Sequence, residues 1–386
     1  MKHKNLRLKQ VKGLIGSDEK RVMTRSSRVP YLLVSLVVVG IVIVGLGACG
    51  TKHSALLTLP FSPSDVAVDN QGNVYIADAG RDVVEKITPA GTLSIAAGNG
   101  WPAPPIPGPA VKSPLYMPSG IAIDSHGDLF IADASNGVVE KVTPSGMLSI
   151  VAGGGDGNTL GPGLATKSFL GEPSGVAVDR DGDLYIADMD NDAVAKVTPS
   201  GMLSIVAGGS QGNTPIPGPA IKSPLAGPSG VAVDSQGNLY IADAFSNMVV
   251  KVSPAGVLSI VTGNGKEGAP TSGLAIKTLL NRPKGVAVDG HGNIFIADSG
   301  NSVVEKVSSS GVLSIAAGNG RAGSPTPGLA THSSLNAPSG VTIDDRGNLY
   351  IADQGNRAVE KVTPSGILSV LVDQGPTVGT PQVVTK

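Results

Sequence analysis

The side chains that could do chemistry in this chain recur at a fixed spacing. Six aspartates follow an Ile-Ala pair, at Asp78, Asp133, Asp188, Asp243, Asp298 and Asp353, each 55 residues after the last. A second set, Asp69, Asp124, Asp179, Asp234, Asp289 and Asp344, keeps that interval, with Gly three residues on. A third set is basic: Lys86, Lys141, Lys196, Lys251, Lys306 and Lys361. Carboxylates can hold a metal or move protons. A single active site does not need six equivalent copies. An Asp ahead of a tight turn accepts hydrogen bonds from the turn's own amides, and Gly in Asp-x-x-Gly supplies positive φ. The six Ile-Ala-Asp carboxylates are therefore expected to be structural turn caps.

The third repeat is the most acidic. Asp179, Asp181 and Asp183 are followed by Asp188, Asp190 and Asp192. A calcium loop of the helix-loop-helix kind does not fit, because an intervening strand would separate the clusters by about 17 Å. Asp188, Asp190 and Asp192 alone remain weak metal candidates. Gly153 to Asn158 is Gly-rich but lacks the GK[ST] ending of a phosphate loop. Of the five histidines, His126 and His291 sit in Asp-x-x-Gly turns and only His332 lies in a segment between repeats. The six first strands present Val, Ala, Ile and Thr, with no carboxylate expected in mid-strand. No catalytic residue or cofactor is expected, and an enzyme is the runner-up reading.

The front of the chain is chemically distinct. Residues 1–30 carry nine Lys/Arg against two Asp/Glu, a net +7 that leaves about −8 for the rest of a chain of net −1. An acidic body is a poor nucleic-acid binder. Residues 31–49 read as a transmembrane or signal segment: Tyr31 to Ala48 is an uncharged run of 18 residues, near the ~20 that span a bilayer. The basic leader would stay in the cytoplasm, and the residues beyond 50 would lie on the other side of the membrane. Leu46-Gly47-Ala48-Cys49 resembles a bacterial lipobox, which makes Cys49 a candidate for lipidation. The leader is long for a signal peptide, so Met23 is a candidate true start. Cys49 is the only cysteine, so no intrachain disulfide forms.

Along the period, each unit holds four short runs of β-branched and apolar residues separated by Gly, Asp, Asn and Pro turns. In the fourth unit these are Gly230–Asp234, Leu239–Asp243, Met248–Val252 and Val257–Thr262. Six four-stranded meanders predict an all-β protein, a six-bladed β-propeller of antiparallel blades spanning residues 54–373, with 374–386 a flexible tail. Composition agrees: 53 Gly and 29 Pro with 15% charged residues exclude a charge-rich disordered chain or a coiled coil. Pro228 to Asn247 and Val249 to Val252 resemble the NHL repeat, as do the other five units. The resemblance implies a six-bladed propeller that can serve many functions; enzymes on related propellers imply His, Tyr or a hub-bound metal. Ser54 to Leu59 resembles a fourth strand, and it is expected to close the last blade in place of Gly366 to Leu371.

The units exceed the 40–45 residues of that family through one recurrent insertion, such as Gly208 to Pro228. Structureless loops of about 20 residues are uncommon unless functional. Strand topology sends the insertions and the turns after Ile-Ala-Asp to one rim. Trp101, Tyr116, Phe169, Phe245, Arg81, Arg282, Arg321 and Arg357 fall on it and are the ligand candidates, since aromatics and Arg dominate interface hot spots. The expected partner is a protein, peptide or glycan on this rim, with the membrane engaged through the N-terminal segment.

Overall fold

A computed structural model describes residues 60–373, together with the backbone of 382–383. The leader, the 31–49 segment, Cys49, Ser54 to Leu59 and most of the expected tail lie outside the described residues. Among the described residues no helix is long and apolar enough to cross a membrane.

Each 55-residue unit forms one antiparallel sheet, and six sheets make six blades. The fourth blade runs from the inner strand Pro228–Val233 through Leu239–Asp243 and Met248–Val252 to the outer strand Val257–Thr262. Only the inner strand departs from the sequence expectation, starting two residues earlier at proline. That proline ends an insertion and opens a strand, a position where its missing N–H costs no ladder bond.

Both faces of every blade are covered by the neighbouring blade. Ala177, Ala187 and Val194 of the third blade pack with Leu239, Ile241, Val250 and Leu258 of the fourth. Two-sided burial explains why the strands do not alternate strictly between apolar and polar. The periodic lysines are explained by pairing across strands. Tyr240 stands opposite Lys251, and in all six blades the lysine ammonium lies 5.0–5.6 Å from the centroid of a Tyr or Phe ring, within cation–π range.

The insertions are not structureless. Each carries a two-residue strand and a single 3-10 turn, such as Gly218–Pro219 and Ala220–Lys222. The short strand pairs with the outer strand of the next blade in sequence, Gly218 opposite Leu258 and Pro219 opposite Val257. It thereby covers an otherwise open sheet edge. The alanines of three of these turns, Ala110, Ala275 and Ala330, staple two blades. Ala110 N–H donates to Gly146 of its own blade at 2.9 Å, while its carbonyl accepts from Gly98 of the preceding blade at 3.1 Å.

The sixth blade supplies its own fourth strand. The outer strand of the sixth blade is Ile367–Asp373, reached from Ala358–Val362 by a turn in which Gly366 N–H donates to Thr363. Its free edge is taken by Gly328–Leu329 at one end and Gln382–Val383 at the other. A strand joined by a tight turn pairs at little loop-closure cost. The ring closes by packing: Phe61, Val66 and Ile76 of the first blade share a core with Tyr350, Val359 and Val372 of the last.

Candidate functional site at the channel mouth

Six inner strands surround a central channel, and their first residues form its mouth. In five blades the opening proline is followed by serine: Ser64, Ser119, Ser174, Ser229 and Ser339. Four of these hydroxyls donate to the opening proline carbonyl of the next blade. The distances are 2.7 Å from Ser64 to Pro118, 2.9 Å from Ser119 to Pro173, 2.8 Å from Ser174 to Pro228 and 3.1 Å from Ser339 to Pro63. Glycine follows serine or lysine in blades two to six because the backbones converge there. A Cβ at Gly175 or Gly230 would collide with a carbonyl oxygen of the next blade.

Two residues break this ring. Lys284 replaces the serine of the fifth blade, and Asp65 replaces the glycine of the first. Both line a cavity of about 530 Å³ together with Met117, Glu172, Met189 and Gln354. The Asp65 carboxylate lies over Gly340 and accepts a hydrogen bond from Ile121 N–H at 3.0 Å. Burial pushes its pKa up to about 7, against the lowering effect of the Ile121 and Val66 amides. Asp65 corrects the expectation of a hub without a carboxylate. Its signal was in the sequence, in the one repeat that reads Pro-Ser-Asp rather than Pro-x-Gly.

The Lys284 ammonium donates to Gln354 Oε1 at 3.3 Å. Burial and then the neighbouring Arg282 cation hold its pKa below the usual lysine range. Glu172, at the end of an insertion, behaves oppositely: burial, then Asp190 and Asp188, raise its carboxyl. Neither Lys284 nor Glu172 was singled out from the sequence.

The expected rim residues divide. Trp101, Tyr116 and Phe245 are exposed, at 69%, 41% and 62%, as are Arg282, Arg321 and Arg357, while Phe169 is half-buried. Arg81 is not a rim residue. It is 1% exposed, donates to Glu85 at 3.0 Å, stands 3.6 Å from Asp78 and lies over the Phe61 ring. A carboxylate at the third-strand position 85 draws the arginine inward, since burying that charge without a partner is costly.

The Ile-Ala-Asp carboxylates accept from their own turns, as Asp78 does from Gly80 N–H at 3.1 Å, but they clasp more than those turns. Asp243 Oδ1 accepts Ala226 N–H at 2.7 Å, and Asp353 Oδ1 accepts Asn336 N–H at 2.8 Å. Each thus ties the end of an insertion, 17 residues upstream, to the blade. The Asp-x-x-Gly set acts locally, as expected: Asp234 Oδ1 accepts from Gln236 and Asn238 N–H, both at 2.9 Å. Asp188 is committed to the amides of Gly171, Glu172 and Asn191 and to the Asn191 side chain. Asp192 accepts Gly227 N–H at 2.9 Å. Among the described residues no group of three or more His, Cys, Asp or Glu is placed to hold a metal.

Sequence reasoning also missed a set of buried carboxylate pairs. Glu140, Glu305 and Glu360 sit on third strands beside Asp133, Asp298 and Asp353, and all six are fully buried. Burial and the facing aspartate raise each glutamate well above the usual carboxylate range. No side-chain N–H or hydroxyl reaches the glutamate oxygens, and the raised pKa of each glutamate favours its protonated form beside the aspartate. The signal was the Val-Glu-Lys of four repeats set against Val-Ala-Lys and Val-Val-Lys at Ala195 and Val250.

The NHL repeat family model matches residues 225–252 and 280–305, the inner three strands of the fourth blade and their counterparts in the fifth. Two of the six units thus match the NHL repeat. The propeller is similar to mouse Teneurin-1, at 26% identity over 359 residues, which is 81% of this chain and 13% of that protein. It thus spans about an eighth of that curated relative. An auxiliary nutrient binding protein from Bacteroides ovatus superposes with TM-score 0.59 at 15% identity, covering 81% of this chain and 70% of the other. A gluconolactonase from Xanthomonas campestris superposes at 0.52 and 14%, covering 82% and 88%. A binding protein and an enzyme thus share the fold of the NHL propeller at similar sequence distance, and the shared fold does not choose between their functions.

Proposed function

We propose that the NHL propeller is a binding module that receives a protein, peptide or glycan across the channel mouth on the insertion face. The carrying observation is the broken ring. Serine and glycine satisfy the mouth in the other blades, so Lys284 and Asp65 are not needed to close it. They stand where a ligand would be met, and stiff Pro-rich insertions surround them at low ordering cost. In this reading the apolar 31–49 segment, with or without lipid on Cys49, tethers the propeller to a membrane on the extracytoplasmic side. The runner-up is a hydrolase or lyase working at the hub. Asp65 favours it, because a carboxyl with pKa about 7 suits a general base.

Site-specific photo-crosslinking tests the binding reading. A photoreactive residue is placed at Met117, on the mouth, or at His126, on the opposite face, in the full chain expressed in cells. Discrete adducts from position 117 and none from 126 are expected. Equal labelling from both positions removes the mouth as the binding face. Turnover of a substrate that Asp65→Asn abolishes while leaving binding intact would move the protein to the enzyme class.

A further inference from the structure

The channel mouth carries two charge clusters, each of one sign. On the fifth blade, the Lys284 ammonium donates to the neutral Gln354 amide at 3.3 Å, and burial and then the Arg282 cation hold its pKa below the usual lysine range. On the third blade, Glu172 N–H donates to Asp188 at 3.2 Å, and burial and then Asp190 and Asp188 raise the Glu172 carboxyl. Among the described residues, no ion pair joins Lys284 or Glu172 to an opposite charge. Like charges held together without counter-charges are a cost to the fold. They are also complementary to a ligand that brings the opposite sign to each end.

The cavity between them, about 530 Å³, is within the range of small-molecule sites. Its wall is apolar below the mouth, formed by Val66, Ile121, Val176, Val231, Val286 and Val341. Asp65 lies in that wall with its carboxylate already accepting from Ile121 N–H, and Lys284 is the cation of the lining, available to an incoming anion.

We propose that the mouth binds a zwitterion of the amino-acid class, a short peptide with free termini, its carboxylate on Lys284 and its ammonium on Glu172. This assignment rests on the binding reading above and names its ligand. A blocked peptide or neutral sugar would leave one or both clusters unanswered.

Calorimetry on the full chain tests it, with trialanine as probe beside its C-terminal amide and its N-acetyl form. Trialanine should bind, and amidation or acetylation should each weaken it by about tenfold or more, as for loss of one desolvated charge pair. Lys284→Ser restores the residue found in the other five blades and should fold normally. It should weaken trialanine by a similar factor and abolish the distinction between acid and amide. Glu172→Gln should do the same for the distinction between free and acetylated amine. Equal affinity for trialanine and its amide, undiminished discrimination in Lys284→Ser, or no binding of trialanine would each overturn the assignment. If crosslinks from position 117 persist in that case, only the ligand class falls and the mouth remains the binding face.

Discussion

The first blade and blades two, five and six bury the same pair of carboxyl groups, and burial raises both members in the first blade as well, but only the first blade sets a cation beside them. In the first, Arg81 reaches inward to Glu85 and Asp78. In the other three, Asp133, Asp298 and Asp353 face Glu140, Glu305 and Glu360 with no cation, and burial and the facing aspartate push the glutamates toward their protonated form. Blades three and four show that neither solution is required, since Ala195 and Val250 occupy the same position in intact blades. The buried acid is thus a property of particular blades, not of the fold. An arginine keeps its charge at any ordinary pH, whereas a carboxyl proton can be withdrawn.

The sharpest way to break this comparison is Arg81→Ala. It leaves two carboxyls facing each other without their cation and should cost about 3–5 kcal/mol, the range for breaking a buried ion pair. Urea unfolding checks it; a loss below about 1 kcal/mol would mean that the first blade already relies on a carboxyl proton. Next in size is Asp243→Ala, which strands Ala226 N–H in the core and should cost roughly 1–3 kcal/mol.

The pH response sharpens the comparison further. Asp353 rises from 3.8 to about 7 in the folded state, with burial first among the causes, and burial and Asp353 raise the paired Glu360 well above the usual carboxylate range. The folded chain then holds protons that the unfolded chain has released. Stability from these groups is complete below the ordinary carboxyl pKa and declines as pH rises through about 7. Thermal melts should fall in Tm between pH 4 and pH 8. Replacing Glu140, Glu305 and Glu360 together by Val, as at Val250, should flatten that slope. A slope unchanged in the triple variant would rule out the glutamate protons. Singly, Glu140→Val should be neutral to slightly stabilising near neutral pH, because an apolar residue of similar size avoids the desolvation cost. The smallest effect is expected at Trp101→Ala: the side chain is 69% exposed, so unfolding free energy should change by less than about 0.5 kcal/mol.

The channel mouth shows how far local pattern reading reaches. The sixfold aspartates, lysines and glycines announced themselves by recurrence, and recurrence marks what every blade needs. Asp65, Lys284 and Glu172 occur once each in their positions, so a search for repeated chemistry passes over them. Arg81 erred the other way. Its loop belongs to the rim, but a single buried glutamate four residues on turns the side chain into the core.

Taken alone, the sequence determined the number of blades, the strands within each and the turn residues between them. These follow from the 55-residue period and from short-range backbone preferences, which act within a few residues and are written in order along the chain. The tertiary structure alone decided which residues meet around the channel. Positions 65, 172 and 284 lie more than a hundred residues apart and converge only when six blades close into a ring. It decided as well that the insertions staple one blade to the next, and that the last blade completes itself with its own outer strand. Those outcomes depend on packing and pairing between distant segments, where burial and loop-closure entropy, not local propensity, set the balance.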